Sequence, residues 1–310
     1  MEPESPDTPA RVAILGLGLM GGSLGLALKR AWPASVITGY DIEPAVAERA
    51  RARGAIDMLQ AFVAEALTGA TLVVIATPTL AARNALREIG ACWERLAPHA
   101  VITDVCSVKG PLAVWAREEL PQPARFVGGH PICGSERAGI EAASVDLYMG
   151  ARWVISPTPE SAPAATAQVD ALARAAGAAP MRMDPETHDG AVAGISHAPL
   201  AVAAALAGAL AAEPEWPVMA ALAAGGYRDT TRVAAGDPIM GRDMLLANRE
   251  RVLVQLDAVV AAVMRLRAAL AKGDAKETER LLRAASEARR AWAANHANGA
   301  GDDGAASGVL

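Results

Sequence analysis

The glycine loop near the start of the chain constrains the fold more than any other feature. An apolar segment, RVAILG, leads directly into GLGLMG, so that Gly16, Gly18 and Gly21 form the G-x-G-x-x-G pattern. In a strand–loop–helix unit the first glycine permits a tight turn, the second lets the backbone approach a pyrophosphate, and the third lets helix and strand pack closely. The loop therefore predicts a dinucleotide-binding domain.

Further residues complete the predicted cofactor site. Asp41 ends the second predicted strand, where a carboxylate can accept hydrogen bonds from ribose hydroxyls and would repel a 2′-phosphate. We therefore expect NAD rather than NADP. Thr77 and Pro78 follow a later strand and are assigned to the nicotinamide side, although alone they are also typical of a plain turn. Leu19 and Met20, inside the glycine loop, are counted with the cofactor-binding residues.

Short apolar strands alternate with helices through the first part of the chain, which indicates a parallel sheet covered on both faces. Two further strands, at 152–157 and 179–184, are expected at its far edge. Beyond them, alanine- and leucine-rich segments with three-to-four-residue apolar spacing predict helices. We expect an α/β, Rossmann-type doubly wound domain, an all-α C-terminal dimerisation domain and a disordered tail, with these bounds: 9–183, 184–296 and 297–310.

Composition excludes several other classes. The net charge is −5 and no basic stripe occurs, so a nucleic-acid partner is not expected. The three cysteines, Cys92, Cys106 and Cys133, fit neither a disulfide framework nor a zinc site, and no metal is expected. The acidic, proline-rich start lacks the regions of a signal peptide. No apolar run of roughly 18–20 residues is free of charges and breakers, so we expect a cytoplasmic protein without a membrane partner.

Four further segments concentrate ionisable residues. DVCSVKG and GGHPICGSE each follow a predicted strand and supply Asp104, Ser107, Lys109, His130, Ser135 and Glu136. THDGAVAGISHAPL and GGYRDTTRVAAGDP lie in the helical part, the latter as a predicted polar loop, and supply His188, His197, Arg228, Asp229, Arg232 and Asp237. Because ligands of open α/β sheets bind at the carboxyl ends of strands, the first two segments should face the cofactor crevice.

Taken alone, these residues leave more than one interpretation open. An imidazole accepts a proton near neutral pH, so His130 is a candidate base, yet a capping histidine in a turn fits equally well. Arg232 suits a carboxylate but could be a solvated loop charge. His188 and His197 could be core histidines bonded to backbone. Glu136 could be a carboxylate at a helix start.

In their order along the chain, the motifs resemble the prephenate/arogenate dehydrogenase family of tyrosine biosynthesis. The resemblance covers roughly residues 11–290 and includes the glycine loop, D-x-x-S-V-K-G, G-G-H-P-x-x-G-S-E, H-D…S-H-x-P and Y-R-D-T-T-R…D-P. It implies a homodimeric enzyme that uses NAD for an oxidative decarboxylation. Prephenate would give 4-hydroxyphenylpyruvate, and arogenate would give tyrosine.

The resemblance also implies residue roles. His130 would take the proton of the ring hydroxyl, assisted by Ser107. Apart from the resemblance, we expect Lys109 to stabilise the structure rather than to perform chemistry. The resemblance implies that Arg232, His197 and Glu136 bind the substrate. Ser135, which precedes Glu136 in the same motif, and His188, which is expected at the domain junction, are counted with them as substrate-binding residues.

Two positions depart from the family pattern. Leu200 stands where many members carry a histidine, and Gly241 stands where many carry a tryptophan. The preference between prephenate and arogenate therefore stays open. Two alternatives also stay open: another nicotinamide dehydrogenase of the hydroxyacid or imine type, and a non-catalytic NAD-binding regulator. The former typically relies on a lysine in a glycine-rich helix, which is not seen near 180–200, and the joint presence of His130, Ser107 and Arg232 disfavours the latter.

Overall fold

A single eight-stranded sheet forms the first part of the protein. The computed structural model describes residues 8–134 and 137–297. The strands are β1 (Arg11–Leu15), β2 (Val36–Tyr40), β3 (Met58–Leu59), β4 (Leu72–Ile75), β5 (Val101–Asp104), β6 (Phe126–Ile132), β7 (Arg152–Ser156) and β8 (Ala179–Arg182). Their order across the sheet is β3-β2-β1-β4-β5-β6-β7-β8. The chain therefore reverses its direction of travel between β1 and β4, as in doubly wound folds.

The predicted parallel sheet is correct for most strand pairs and wrong for one. Strands β1 to β6 pair in parallel, but β7 pairs antiparallel to β6. The described residues between these two strands contain only a 3₁₀ turn at Ile140–Ala142, and an antiparallel neighbour needs no crossover helix. The two predicted strands at the far edge are confirmed as β7 and β8, whereas nothing in the sequence pattern indicated the two-residue β3.

Helices cover both faces of this sheet. They are α1 (Leu19–Ala31), α2 (Pro44–Ala52), α3 (Val63–Ala66), α4 (Ala82–Ala91), α5 (Gly110–Glu119) and α6 (Pro163–Ala175). Alternate side chains of β1 enter two separate cores: Val12 and Ile14 pack with α1 and α6, while Leu15 packs with α4 and α5. This two-residue alternation is what buries a strand on both faces. The predicted Rossmann-type domain is therefore confirmed.

The second part of the described chain is helical. Its helices are α7 (Pro185–Val192), α8 (Ala198–Ala211), α9 (Trp216–Leu222), α10 (Gly225–Thr231), α11 (Pro238–Ala247), α12 (Arg249–Ala271) and α13 (Ala275–Ala297). The predicted all-α character is confirmed. Of the predicted tail, Ala297 ends α13, and 298–310 lie outside the described residues.

The polar loop predicted over 225–238 is wrong. The structure places α10 there, followed by a 3₁₀ turn at Arg232–Ala235. Tyr227 packs against Trp216 with ring centroids 5.4 Å apart, and the Thr231 hydroxyl donates to the carbonyl of Tyr227 at 2.7 Å. Tertiary packing thus outweighs the poor helix propensity of the glycines.

A continuous helical segment, 185–211, links the two parts. Asp184 accepts hydrogen bonds from the amides of Glu186 and Thr187 and so caps α7. A π-helical turn at Ala193–His197 joins α7 to α8. Pro199 follows, and because it has no N–H it cannot continue the regular ladder there.

By length and composition alone, this segment is long and apolar enough to cross a membrane. The sequence criterion did not select it, because glycines and prolines interrupt the apolar run. A helix covered by other parts of a folded protein passes the same test. The first turns of the segment are buried against the sheet domain, since His188, Asp189 and His197 are each at most 1% exposed. The segment therefore belongs to the junction of the two parts.

Candidate active site

The glycine loop has the geometry of an anion cradle. Gly16 has a φ of +95°, a left-handed conformation that favours glycine, and its amide donates to the Tyr40 carbonyl at 2.8 Å. A Cβ on Gly21 would collide with the carbonyl oxygen of Gly16. Gly18 faces open space and begins α1 without a side-chain cap. The first-turn amides of α1 are therefore available to a phosphate.

Asp41 lies beside this loop at the end of β2. Its Oδ2 accepts the amide of Leu17 at 2.7 Å, and its Oδ1 accepts the amide of Glu43 at 3.0 Å. Each carboxylate oxygen keeps a second lone pair, so both can still accept from hydroxyl groups. The site thus fits the ribose of a dinucleotide.

The remaining cofactor candidates adjoin the loop. Thr77 and Pro78 follow β4, the strand next to β1, and the Thr77 hydroxyl is buried without a hydrogen-bond partner among the described residues. Leu19 and Met20 open α1, and the Met20 carbonyl accepts the hydroxyl of Tyr148 at 2.7 Å. The structure therefore brings all of the predicted cofactor residues to the carboxyl edge of β1, β2 and β4.

A buried ion pair connects the carboxyl ends of β5 and β6. The Lys109 ammonium contacts the carboxylate of Asp104 and donates to the Gly129 carbonyl at 2.6 Å. The same carboxylate accepts the amides of Cys106 at 2.9 Å and Gly129 at 3.2 Å. Removing one partner of such a pair costs about 3–5 kcal/mol. The pair joins the ends of β5 and β6 immediately before His130, as expected of a structural Lys109.

His130 begins a chain of hydrogen bonds across the junction. Its Nδ1 lies 2.8 Å from Nε2 of His188, and the two rings are nearly perpendicular at 80°. Nδ1 of His188 lies 2.7 Å from Oδ1 of Asp189. The Asp189 carboxylate also accepts the amides of Lys109 at 2.7 Å and Gly110 at 2.8 Å, which begin α5. A residue pair from the helical part therefore holds a side chain of the sheet domain.

The surroundings favour a neutral His130 and an ionised Asp189. Burial is the main cause that lowers the pKa of His130 well below its usual value. Burial acts to raise the pKa of Asp189, but the hydrogen bonds from His188 and two backbone amides outweigh it, so this pKa is lowered. His130 is partly exposed, and a neutral imidazole in such a position can accept a proton.

His197 lies behind this chain and is fully buried. Burial lowers its pKa to about 4, so it is neutral at neutral pH. Its Nδ1 lies 3.2 Å from Nδ2 of Asn248, which also donates to the Asp189 carbonyl at 2.7 Å. Its Nε2 has no partner within the described part of the chain.

Four predicted site residues remain: Ser107, Arg232, Ser135 and Glu136. Ser107, between β5 and α5, is partly exposed and makes no side-chain hydrogen bond to another described residue. Arg232 is exposed on the 3₁₀ turn that packs against α8. Ser135 and Glu136 lie outside the described residues.

The two departures from the family pattern adjoin each other. A Cβ at Gly241 would lie 3.4 Å from a methyl group of Leu200. A small residue therefore faces an apolar one where α11 approaches α8.

Two residues of this site were not assigned from the sequence. Asp189 directly follows His188, so the dipeptide HD was a usable signal. Asn248 carried none, because a single asparagine between two helices is typical of an ordinary helix end. Only its tertiary position, within reach of Asp189 and His197, makes it part of the site.

Comparison with known proteins agrees with this architecture. Two family models match the chain: the nucleotide-binding domain of prephenate dehydrogenase over residues 24–181, and the dimerization domain of prephenate dehydrogenase over 184–284. The chain is 35% identical over 280 residues to the prephenate dehydrogenase of Bacillus subtilis (strain 168), covering 90% of this chain and 75% of that protein. It is 30% identical over 292 residues to the cyclohexadienyl dehydrogenase of Zymomonas mobilis, covering 92% and 97%.

Solved structures give the same result. Prephenate dehydrogenase from A. aeolicus, crystallised with hydroxyphenyl propionate and NAD+, has a TM-score of 0.83 and 31% identity, with 90% of this chain and 97% of that chain covered. Arogenate dehydrogenase from Synechocystis has a TM-score of 0.74 and 30% identity, with 91% and 99% covered. The chain therefore belongs to the prephenate dehydrogenase family of oxidoreductases.

Proposed function

We propose that this protein is an NAD-dependent dehydrogenase that oxidatively decarboxylates prephenate, arogenate or both, with His130 as the general base. The observation that carries this proposal is the placement of His130. It is a partly exposed histidine with a lowered pKa at the carboxyl end of β6, on the sheet edge that also carries the glycine loop. Ligands of such sheets bind at that edge.

The cofactor is NAD, and the residues present fit it. The glycine loop of Gly16, Gly18 and Gly21 and the open end of α1 suit the pyrophosphate, and Asp41 has free lone pairs for the ribose. Leu19, Met20, Thr77 and Pro78 adjoin the loop and line the remaining cofactor surface. When bound, NAD supplies the acceptor for the hydride.

The side chains of this protein supply a base and a cation. His130 accepts the proton of the ring hydroxyl as the hydrogen on the same carbon leaves as hydride. Loss of the ring carboxylate as carbon dioxide then makes the ring aromatic. Arg232 holds a substrate carboxylate, for which a guanidinium fork is suited, and Ser107 assists at the hydroxyl.

The remaining candidates divide by burial. Ser135 and Glu136 belong to the segment that follows His130 and are assigned to the substrate pocket. His188 and His197 are almost fully buried, which supports a place behind His130 rather than against the substrate.

The helical domain, 184–296, pairs two copies of the chain. Its surface carries many exposed apolar side chains, among them Val254 at 65% and Leu222 at 78% exposed. Patches of this kind mark interaction sites, and the family model matched here is described as a dimerization domain. The working unit is a homodimer in the cytoplasm, with the substrate at the junction with the 9–183 domain and with no nucleic-acid or membrane partner.

Initial rates with prephenate and arogenate, each with NAD and NADP, test the function. We expect NADH and carbon dioxide to form together with at least one substrate, and NAD to be preferred. No turnover of either substrate would overturn the proposed reaction. Equal rates with NADP would overturn the role of Asp41 and leave the reaction intact.

A further inference from the structure

We infer that His188 and Asp189 are positioning residues that hold His130 in the tautomer whose Nε2 is unprotonated and free to act as the base. The inference rests on the proposed function, because it explains how His130 becomes able to accept the substrate proton. It assigns to His188 and Asp189 a role that needs no contact with substrate.

The chain of donors and acceptors begins at Asp189. Its carboxylate accepts the amides of Lys109 and Gly110, and a backbone amide can only donate. Burial acts to raise the pKa of Asp189, but its hydrogen bonds outweigh that effect, so the carboxylate is ionised and offers only lone pairs. His188 Nδ1, 2.7 Å away, must then carry a proton and donate it to Asp189.

The direction of the next bond follows. A neutral His188 with its proton on Nδ1 has a lone pair on Nε2. His130 Nδ1, 2.8 Å from that nitrogen, must therefore be the donor. With its proton on Nδ1, neutral His130 has its own lone pair on Nε2, and that nitrogen is the one left to face a ligand.

The other titratable groups around His130 do not decide which nitrogen of His130 is protonated. Lys109 is neutralised by Asp104 and bonded to the Gly129 carbonyl. His197 is neutral and bonded to Asn248. The Asp189 carboxylate is thus the acceptor that determines which nitrogen of His188, and then of His130, is protonated.

The hydrogen bonds from Asp189 through His188 to His130 also connect the base to the domain junction. Asp189 and His188 lie on α7, whereas His130 lies near the carboxyl end of β6 and the two capped amides begin α5. The same carboxylate therefore fixes α7 against the sheet domain and orients the base. A shift of the helical domain would therefore break the hydrogen bonds that fix α7 to the sheet domain and those that orient His130.

The tautomer of His130 in the wild-type protein tests the inference directly. The chain has only five histidines, so ¹⁵N labelling of their rings gives a simple spectrum, and His130→Asn identifies the resonances of His130. We expect a protonated Nδ1 and an unprotonated Nε2 at neutral pH. A proton on Nε2 instead would overturn the inference. This result does not depend on turnover, so it separates failure of the positioning role from failure of the proposed reaction.

Two substitutions of His188 extend the test to activity. In His188→Gln the amide oxygen can still accept the Nδ1 proton of His130, whereas in His188→Leu nothing can. We expect His188→Leu to lower kcat roughly 10- to 100-fold, less than full loss of a general base, with KM for both substrates little changed, and His188→Gln to retain most of kcat. Equal losses in both variants, or none in His188→Leu, would overturn the inference.

The pH profile distinguishes positioning from mere structural support. His188 Nε2 accepts from the Nδ1–H of His130, and this bond stabilises the protonated ring more than the neutral one, so His188→Leu should lower the pKa of His130 and move the acid limb of kcat/KM to lower pH. An unmoved limb would contradict the inference. His99→Asn is the matched control, because His99 is exposed with a φ of +66°, which asparagine tolerates, and we expect it to change neither kcat nor the profile.

Discussion

The two domains of this protein differ in how they bury their apolar surface. In the sheet domain, the side chains of β1 alternate between two cores, and those of Val12, Ile14 and Leu15 are almost fully buried. In the helical domain, long helices leave apolar side chains exposed, such as Val263 on α12 at 58%. The first domain closes its core within one chain, whereas the second has a surface that suits a second copy.

Several contacts between the domains are polar, in contrast to both interiors. Asp189 caps α5, Asp243 accepts the amide of Leu80 at 3.4 Å, and His188 Nε2 is 2.8 Å from His130 Nδ1. Buried polar groups need partners in fixed geometry, so this junction holds its side chains in defined orientations. The difference teaches that apolar packing builds each domain while hydrogen bonds at the junction position the base.

The largest expected effect tests which domain supplies the base. In His130→Asn the proton acceptor is lost, so we expect kcat to fall about 10²- to 10⁴-fold. NAD affinity should hardly change, because the glycine loop and Asp41 are untouched. Steady-state rates and calorimetric NAD titration measure the two quantities. Normal turnover would show that His130 is not the base, and the base would then have to be sought in the helical domain.

The next effect concerns the exposed helical surface. In Val263→Lys an ammonium replaces an apolar side chain on α12, and burying it in a dimer would be costly. We expect the dimer dissociation constant to rise about 100-fold or more. Sedimentation velocity checks the mass. Phe62→Lys is the control, since Phe62 is 67% exposed in the sheet domain, and it should leave the dimer intact. A dimer that is intact in both variants would refute the proposal that the apolar surface of α12 pairs two copies of the chain.

Acid should destabilise the protein through the junction histidines. The pKa of His197 is lowered from 6.5 to about 4, so its contribution to stability is complete above pH 6.5 and is lost as the pH falls toward 4. The loss from His197 is roughly 3 kcal/mol, and His130, whose pKa is also lowered, adds to it. Urea unfolding across this pH range measures it, and His197→Gln should reduce the pH dependence. An equally steep fall in that variant would contradict the assignment.

A pair of glycine substitutions gives the smallest effect and opposite signs in the two domains. Gly21→Ala places a Cβ against the Gly16 carbonyl, so we expect a loss of about 1–3 kcal/mol and weaker NAD binding. Gly208→Ala adds a methyl group in open space on α8, so we expect a gain of about 0.5–1 kcal/mol. Urea denaturation measures both. A loss at Gly208 would mean that a second copy packs closely there.

Much of the fold was predictable because its signals are local. The glycine loop requires glycine at Gly16 and Gly21 for reasons that lie within one strand–turn–helix unit, and the structure shows both reasons. The same holds for α7, where Asp184 caps the helix and proline occupies its first position. By contrast, the helix at 225–231 packs against Trp216, whereas the polar character of the segment predicted a loop.

The sequence by itself determined the domain classes, the nucleotide site and the residue types available for chemistry, because periodicity and turn residues act over a few positions. Only the tertiary structure decided which of these residues meet. His130 and His188 are 58 positions apart, and the sheet and the α7 helix bring them to 2.8 Å. The antiparallel β7 and the partnership of Asn248 with His197 were decided in the same way. Such contacts depend on how separate elements pack, and no local pattern encodes that.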